Sequence, residues 1–271
     1  MIEASRVDFV AVPVEDLARA EEFYGKTLGL MRNPHSGERW VEYETGNLTL
    51  GLSTFGGGIA FRVPDVEQAR GELEGAGVEF AMDTFDSGVC NGAPFTDPDG
   101  NRLLLHRRYA PEETWKLETT DVERTDFIGV SVTDKPRAVE FYGETLGLDR
   151  NALASGDWPE LEAENVGLVL STPEQKGEGD FEPSGYSIAL RVPDVAQSME
   201  RLQAAGVEFE FPEPYDSGVC HMAFFRDPDG NRLCSTIATR PRARAPPARR
   251  RARGTGPARP CAGHPWCRRR S

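Results

Sequence analysis

Apolar and polar residues alternate over Arg6–Pro13, which predicts a β-strand near the start of the chain. The apolar spacing then changes to that of a helix, which we expect to begin after an N-cap at Asp16 and to end at Gly29. The apolar face of this helix comprises Leu17, Ala20, Phe23, Tyr24 and Leu28.

The segment that follows predicts further strands, tight turns and one more helix. Gly46-Asn47 and Asp99-Gly100 have the composition of hairpin turns. Asp65 is a second N-cap, for a helix that runs to about Glu74. The predicted strands are Trp40–Thr45, Leu48–Thr54, Gly58–Val63, Val78–Met82, Ala93–Thr96 and Arg102–Arg107. Within the first half of the chain, the order of one strand, one helix and several strands therefore occurs twice.

The entire pattern is repeated in the second half of the chain. Phe9 matches Phe127 at an offset of 118, and Arg62 matches Arg191 at an offset of 129, so the second copy has 11 extra residues. The insertion falls in Thr172–Gly185, which is rich in Glu, Gly and Pro and is interpreted as a surface loop. Later segments that are identical in both copies are Asp97–Leu103 and Asp227–Leu233.

The repeat divides the chain into two tandem α+β domains. We expect domain 1 at residues 1–110, a linker at 111–123, domain 2 at 124–239 and a basic, disordered tail at 240–271. Within each domain, two strand–helix–three-strand modules are expected to pair around a cleft.

Charge and composition limit the partners. A hydrophobic content of 38% and a charged content of 28% are typical of a soluble globular protein, and no secretory signal or membrane-length apolar run is visible, so a cytoplasmic location is expected. Eleven arginines lie in the tail, so the net charge of −13 becomes −24 for the remainder. This acidic remainder argues against nucleic acid or anionic membrane as a partner.

The motifs of both copies resemble the vicinal-oxygen-chelate superfamily, which includes glyoxalases, bleomycin-resistance proteins and extradiol dioxygenases. The segments that carry the resemblance are Val10–Leu17, Phe23-Tyr24, Leu28–Leu30, Ala60–Asp65 and Asp97–Asn101. The resemblance implies a curved, partly open eight-stranded sheet in each domain. It also implies that the fused copies supply a domain pairing that single-domain relatives reach by dimerising, so a monomer or a homodimer is expected.

Enzymes of this superfamily chelate a divalent metal through cleft-facing His, Gln or Glu side chains. Transferred by the resemblance, the ligand positions in domain 1 fall on Phe9, Gly51, Gly58 and Leu104. Those in domain 2 fall on Phe127, Val169, Ser187 and Cys234. Only Cys234 carries a candidate donor for such an ion, and four histidines are too few for two His-rich sites. No cofactor is therefore expected.

The resulting prediction is a metal-independent protein that binds a small organic ligand in an apolar cleft. The alternative is a metal-dependent lyase or dioxygenase with ligands at other positions, so the sequence leaves open whether a reaction is catalysed. A third alternative is a scaffold whose clefts are filled by side chains. Candidate ligand-contacting residues are Phe9, Trp40, Glu42 and His106 in domain 1, and Phe127, Trp158, Glu160 and His221 in domain 2.

Two further patterns favour structural roles over chemistry. The carboxylate pair Glu42/Glu44, repeated as Glu160/Glu162, suits a solvated strand face better than acid–base catalysis. Cys90 and its repeat Cys220 are interpreted as small core residues, because a nucleophile needs a base and Asn91 adjoins Cys90. With five cysteines and no CxxC pair, a disulfide framework is not expected.

The tail has the composition of an out-of-frame reading. The second copy follows the first through Leu233 and then diverges, and one restored base near that codon regenerates a sequence close to the end of the first copy. Re-sequencing the gene across this position tests the deletion. The rival interpretation is a basic segment that binds nucleic acid, with Cys261, His264 and Cys267 as a weak zinc pattern.

Overall fold

The computed structural model describes residues 2, 4–34, 36–110, 122–152, 154–177 and 179–239. Most of the expected linker and the whole of the expected tail lie outside these residues. Within them, no helix is long and apolar enough to cross a membrane.

Each repeat forms one eight-stranded mixed sheet, which confirms the predicted fold class. In domain 1 the strand order is β2-β3-β4-β1-β5-β8-β7-β6, and in domain 2 it is the same order of the repeated strands, β10-β11-β12-β9-β13-β16-β15-β14. The domain 1 strands are β1 Arg6–Pro13, β2 Met31–Arg32, β3 Trp40–Glu44, β4 Thr49–Ser53, β5 Gly58–Arg62, β6 Phe85–Asp86, β7 Cys90–Thr96 and β8 Arg102–Arg108. Those of domain 2 are β9 Arg124–Ser131, β10 Asp149–Arg150, β11 Glu160–Glu162, β12 Gly167–Ser171, β13 Ser187–Arg191, β14 Tyr215–Asp216, β15 Cys220–Arg226 and β16 Arg232–Ala238.

Helices cover the convex face of each sheet, and aspartates start the main ones. The side chain of Asp16 accepts a hydrogen bond from the backbone N–H of Arg19, and Asp65 caps the next helix in the same way, as the sequence predicts. The helices are α1 Leu17–Glu21, α2 Val66–Gly75, α3 Lys135–Glu140, α4 Pro173–Lys176 and α5 Val195–Ala204. A wider π-helical turn continues α1 through Glu22–Thr27 and α3 through Phe141–Thr145.

Two predicted elements differ from the structure. The predicted strand Val78–Met82 is wrong: Phe80 makes only an isolated bridge to Phe95, and the edge strand is β6 instead. The insertion in domain 2 is not all loop, since it contains the short helix α4, capped by Thr172. Strand β16 of domain 2 extends across the point of sequence divergence and pairs with both β13 and β15.

The two domains are joined by a reciprocal pair of buried tyrosines. The hydroxyl of Tyr24 donates to Asp227 of domain 2, and the hydroxyl of Tyr142 donates to Asp97 of domain 1, both at 2.9 Å. Each aspartate begins the tight turn that the repeat duplicates, and burial raises the pKa of both carboxyls. Each turn therefore anchors the first helix of the other domain.

Asparagines make a second reciprocal contact between the two domains. The side-chain amide of Asn47 donates to the backbone oxygens of Thr125 and Asn165, at 2.9 and 2.8 Å. Asn165 donates in turn to the oxygens of Val7 and Asn47, both at 2.8 Å. These bonds satisfy backbone groups of β1 and β9 that face the other domain.

Candidate functional site

A bulge in β1 turns two successive side chains towards the concave face of domain 1. The pairing of β1 with β5 shifts between Val7 and Phe9, which makes Asp8 the extra residue. Both Asp8 and Phe9 contact the ring of His106, so they lie on the same side of the sheet. Val7 and Val10 point the other way, into the core beneath the helices.

Three rings form a continuous surface on this face, which we call the aromatic wall: Trp40, Phe9 and His106. The ring centroids of Phe9 and Trp40 lie 5.2 Å apart, and those of Phe9 and His106 lie 5.3 Å apart, both edge to face. Gly51 makes room for the indole, because a Cβ atom at this position would overlap the ring of Trp40. The indole of Trp40 can therefore join the aromatic wall only because Gly51 has no side chain.

The wall is fixed at one end by the carboxylate pair. Nε1 of Trp40 donates to Glu42 at 2.8 Å. The amide of Asn33 then donates to both Glu42 and Glu44, at 3.1 Å in each case. Burial raises the pKa of Glu44. Asn33 thus holds Glu42 and Glu44 in place. The two carboxylates do not form the purely solvated strand face that the sequence predicts.

At the other end, a buried charge network fixes His106. Oδ2 of Asp8 lies 2.6 Å from Nδ1 of His106, and Oδ1 accepts from Nε of Arg62 at 2.7 Å. Burial alone lowers the pKa of His106, but hydrogen bonds to Asp8 and Cys90 outweigh it and raise this pKa to about 9. The imidazole is therefore positively charged at neutral pH.

The structure corrects the interpretation of Cys90 as a core residue. Cys90 is only partly buried and lies diagonally across the β7–β8 pair from His106, whose imidazole lowers the pKa of the thiol, whereas its repeat Cys220 is buried as predicted. The residue that follows Cys90 in the sequence is not a base, but the neighbouring strand β8 supplies one, His106.

Domain 2 repeats the bulge and the contact between an asparagine and the carboxylate pair, but it lacks the imidazole. Asp126 occupies the position of Asp8 and accepts from Arg191 at 2.6 Å, while Thr236 stands at the position of His106. Phe127 lies next to Asp126 on β9, at the position of Phe9. The two clefts therefore differ in the group that faces this carboxylate.

The remaining candidates of domain 2 differ in their exposure. Trp158 precedes β11 in a turn and is 42% exposed. His221 is exposed and lies 3.6 Å from Asp216, and strand alternation places it on the opposite sheet face from Cys220. Glu160 is buried, and Asn151 donates to it as Asn33 does to Glu42.

The side chains at the family's ligand positions do not fit a divalent ion. In domain 1 these positions carry two glycines, one leucine and the ring of Phe9, which offer no donor atom. In domain 2, full burial raises the pKa of the Cys234 thiol well above its usual range, so the thiolate that a metal needs is disfavoured. Among the described residues, no group of three or more His, Cys, Asp or Glu side chains is arranged to hold a metal ion.

Sequence reasoning missed Asp8, Asn33 and the contact between Cys90 and His106. Asp8 recurs as Asp126, and Asn33 recurs as Asn151, at the 118-residue offset. Comparison of the two repeats could therefore have identified both residues. The Cys90–His106 contact is not repeated, and it depends on the pairing of β7 with β8.

Known proteins are similar to both repeats. The model of the Glyoxalase/Bleomycin resistance protein/Dioxygenase superfamily matches residues 6–105 and again 124–234. A protein described as "Probable lactoylglutathione lyase" from Vibrio cholerae serotype O1 is 30% identical over 115 residues, which cover 36% of this chain and 79% of that protein.

Solved structures of similar fold span both domains. The Mn(II)-bound glyoxalase from Novosphingobium aromaticivorans superposes with a TM-score of 0.64 at 16% identity, covering 87% of this chain and 83% of that one. The 2,3-dioxygenase LapB from Pseudomonas sp. KL28 gives 0.65 at 15% identity, covering 91% and 97%. A variant of homoprotocatechuate 2,3-dioxygenase from B. fuscum gives 0.64 at 18% identity, covering 87% and 72%. At these identities the likeness concerns the fold.

Proposed function

Since this chain belongs to the Glyoxalase/Bleomycin resistance protein/Dioxygenase superfamily, we propose that it binds a small, flat organic molecule in the cleft of domain 1 without a divalent metal. The observation that carries the proposal is the aromatic wall. It occupies the face on which metal-dependent relatives place their ligands, and at the first of those positions it offers the ring of Phe9 in place of a donor atom.

The charge at the Trp40 end of the aromatic wall favours a neutral or cationic ligand. Glu42 and Glu44 border the wall, and the chain without its tail carries a net charge of −24. A flat cation gains from stacking on the rings and from the carboxylates beside them. An anionic ligand has to overcome the acidic surroundings.

Domain 1 is the better candidate of the two because its indole is held in place. Trp40 is fixed by Gly51 beneath it, by Phe9 at its edge and by the hydrogen bond to Glu42. Such a pre-organised ring loses little conformational entropy when a ligand binds. Trp158 is the matched residue of domain 2 and lies exposed in a turn.

The test is a fluorescence titration with proflavine, a planar tricyclic cation, in the presence and absence of EDTA. We expect binding that EDTA leaves unchanged, and about tenfold weaker binding by Trp40→Leu, which corresponds to about 1.4 kcal/mol. The matched control Trp158→Leu should stay within about twofold of the unaltered protein. Equal losses in both variants, or no binding by the unaltered protein, would refute the proposal.

Metal content decides between this proposal and a metal-dependent lyase or dioxygenase. The protein is incubated with Mn(II), Fe(II), Ni(II) and Zn(II), desalted and analysed by elemental mass spectrometry. We expect no stoichiometric metal. One tightly held ion per chain would contradict the proposal and direct the work to assays with vicinal-oxygen substrates.

A further inference from the structure

We propose that Cys90, His106 and Asp8 form a reactive-thiol site in domain 1, which is alkylated by soft electrophiles that carry an activated carbon–carbon double bond. A nucleophile, a base and a group that orients the base are the components that nucleophilic chemistry requires. The site lies on the concave face beside the aromatic wall, and it does not depend on the reversible binding proposed above.

Strand register brings the thiol and the imidazole together. β7 and β8 are antiparallel, with Gly92 directly opposite His106. Cys90 lies two residues from Gly92 and therefore on the same face, diagonally across from His106. Gly92 itself contributes no side chain between them, and the space above it is filled by Phe85 and Leu104.

The bulge in β1 supplies the third group. Asp8 lies 2.6 Å from Nδ1 of His106 and so orients the imidazole that lowers the pKa of Cys90. A second hydrogen-bonding group, Oγ of Ser87, lies 3.1 Å from Sγ of Cys90. Both contacts orient the sulfur and stabilise a negative charge on it.

The electrostatics of the cluster favour a thiolate–imidazolium pair. The hydrogen bond from His106 is the main cause that lowers the pKa of Cys90, and it outweighs the opposing effect of burial. The other charged or titratable groups near the pair are Arg6, Arg62, Asp86, Arg108 and Tyr109. Of these, Arg108 also lowers the pKa of Cys90, while Asp86 is engaged by the hydroxyl of Tyr109.

The reaction balances without an oxidant or a leaving group. The sulfur lone pair of Cys90 forms a bond to the β-carbon of the activated alkene, and the π electrons move towards the electron-withdrawing group. The imidazolium of His106, which holds the proton that left the thiol, then delivers this proton to the α-carbon. The product is a thioether, and His106 returns to its neutral form.

Domain 2 provides the internal comparison. Its equivalent thiol, Cys220, is buried, and the residue at the position of His106 is Thr236. A third thiol, Cys234, is also buried and its pKa is raised. His221 adjoins Cys220 but points to the opposite face of the sheet, whereas His106 and Cys90 share one face.

The experiment measures the rate of N-ethylmaleimide addition to each cysteine of the full-length protein by peptide-resolved mass spectrometry. For an ordinary thiol the rate constant rises about 200-fold between about pH 6 and about pH 9, because the thiolate fraction rises. For Cys90 we expect a rise that is smaller than this by about threefold or more, because the imidazole beside it lowers its pKa and the thiolate fraction therefore changes less over the same range. Comparing two rates of the same residue removes the effect of its accessibility.

His106→Thr copies the residue of domain 2 and should restore a rise of about 100-fold or more. His106→Gln is the substitute if this variant does not fold, and Cys90→Ser identifies the labelled peptide. A steep profile in the unaltered protein, no labelling of Cys90 at about pH 9, or the same shallow profile in both His106 variants would overturn the proposal.

Discussion

Replacing Asp8 by asparagine is expected to destabilise the protein in a pH-dependent way, because it removes the carboxylate that holds His106 in its charged form. The Asp8 side chain is only 6% exposed and accepts from both His106 and Arg62. Asparagine keeps the shape but removes the charge, which leaves the imidazolium without its main partner.

The magnitude follows from the titration of His106. Its pKa is raised from 6.5 to about 9, although burial alone lowers it, and a shift of this size corresponds to about 3 kcal/mol. Hydrogen bonds to Asp8 and Cys90 both raise the pKa, with Asp8 the larger contribution, so we assign about 2 kcal/mol to Asp8. Because the folded-state pKa is the higher one, this stabilisation is fully present below pH 6.5 and is lost as the pH rises through about 9.

The assay is urea denaturation, followed by tryptophan fluorescence and circular dichroism in parallel, at about pH 6 and about pH 10. Asp126→Asn is the matched control, since Asp126 has an arginine partner and Thr236 in place of the imidazole. The Asp8→Asn effect should be about 2 kcal/mol larger at the lower pH, while that of Asp126→Asn should not change. Equal pH dependence of both variants would refute the reasoning.

Two further predictions concern the interface and the aromatic wall. Tyr24→Phe and Tyr142→Phe should each lower the free energy of unfolding by about 1.5–3 kcal/mol, because each leaves a buried aspartate without one donor; losses below about 0.5 kcal/mol in urea denaturation would contradict this. Gly51→Ala should displace the indole of Trp40, shift its fluorescence emission to longer wavelength and weaken proflavine binding about as much as Trp40→Leu does. An unchanged emission spectrum would contradict the placement of Trp40 over Gly51.

Much of the fold could be predicted from the sequence because local patterns determine it. The alternation in Arg6–Pro13 gives β1 with the observed bounds, and Asp16 and Asp65 cap the helices that follow. The prediction of a strand at Val78–Met82 was wrong because an alternating pattern does not by itself provide a neighbouring strand to pair with. Only Phe80 has a partner.

The candidate site was predictable only in part, because it depends on contacts between strands. Phe9, Trp40 and His106 were expected at the cleft, and they form one surface in the structure. The sequence places His221 on a late strand but does not say which face of the sheet it occupies. A shift of one residue along a strand moves a side chain to the other face. The orientation of Asp8 was not predictable, because a bulge appears only when two strands are aligned.

The reciprocal tyrosine contacts have a consequence for how the two clefts can change. In a symmetric homodimer, every substitution appears in both copies at once, so the two sites stay identical. Here the same kind of reciprocal contact joins two halves of one chain, and a substitution in one half leaves the other unaltered. One polypeptide can therefore hold His106 beside a carboxylate in one half and Thr236 in the other, with the shared interface kept intact. Covalent fusion thus frees each cavity to specialise while the partner it needs for assembly remains permanently attached.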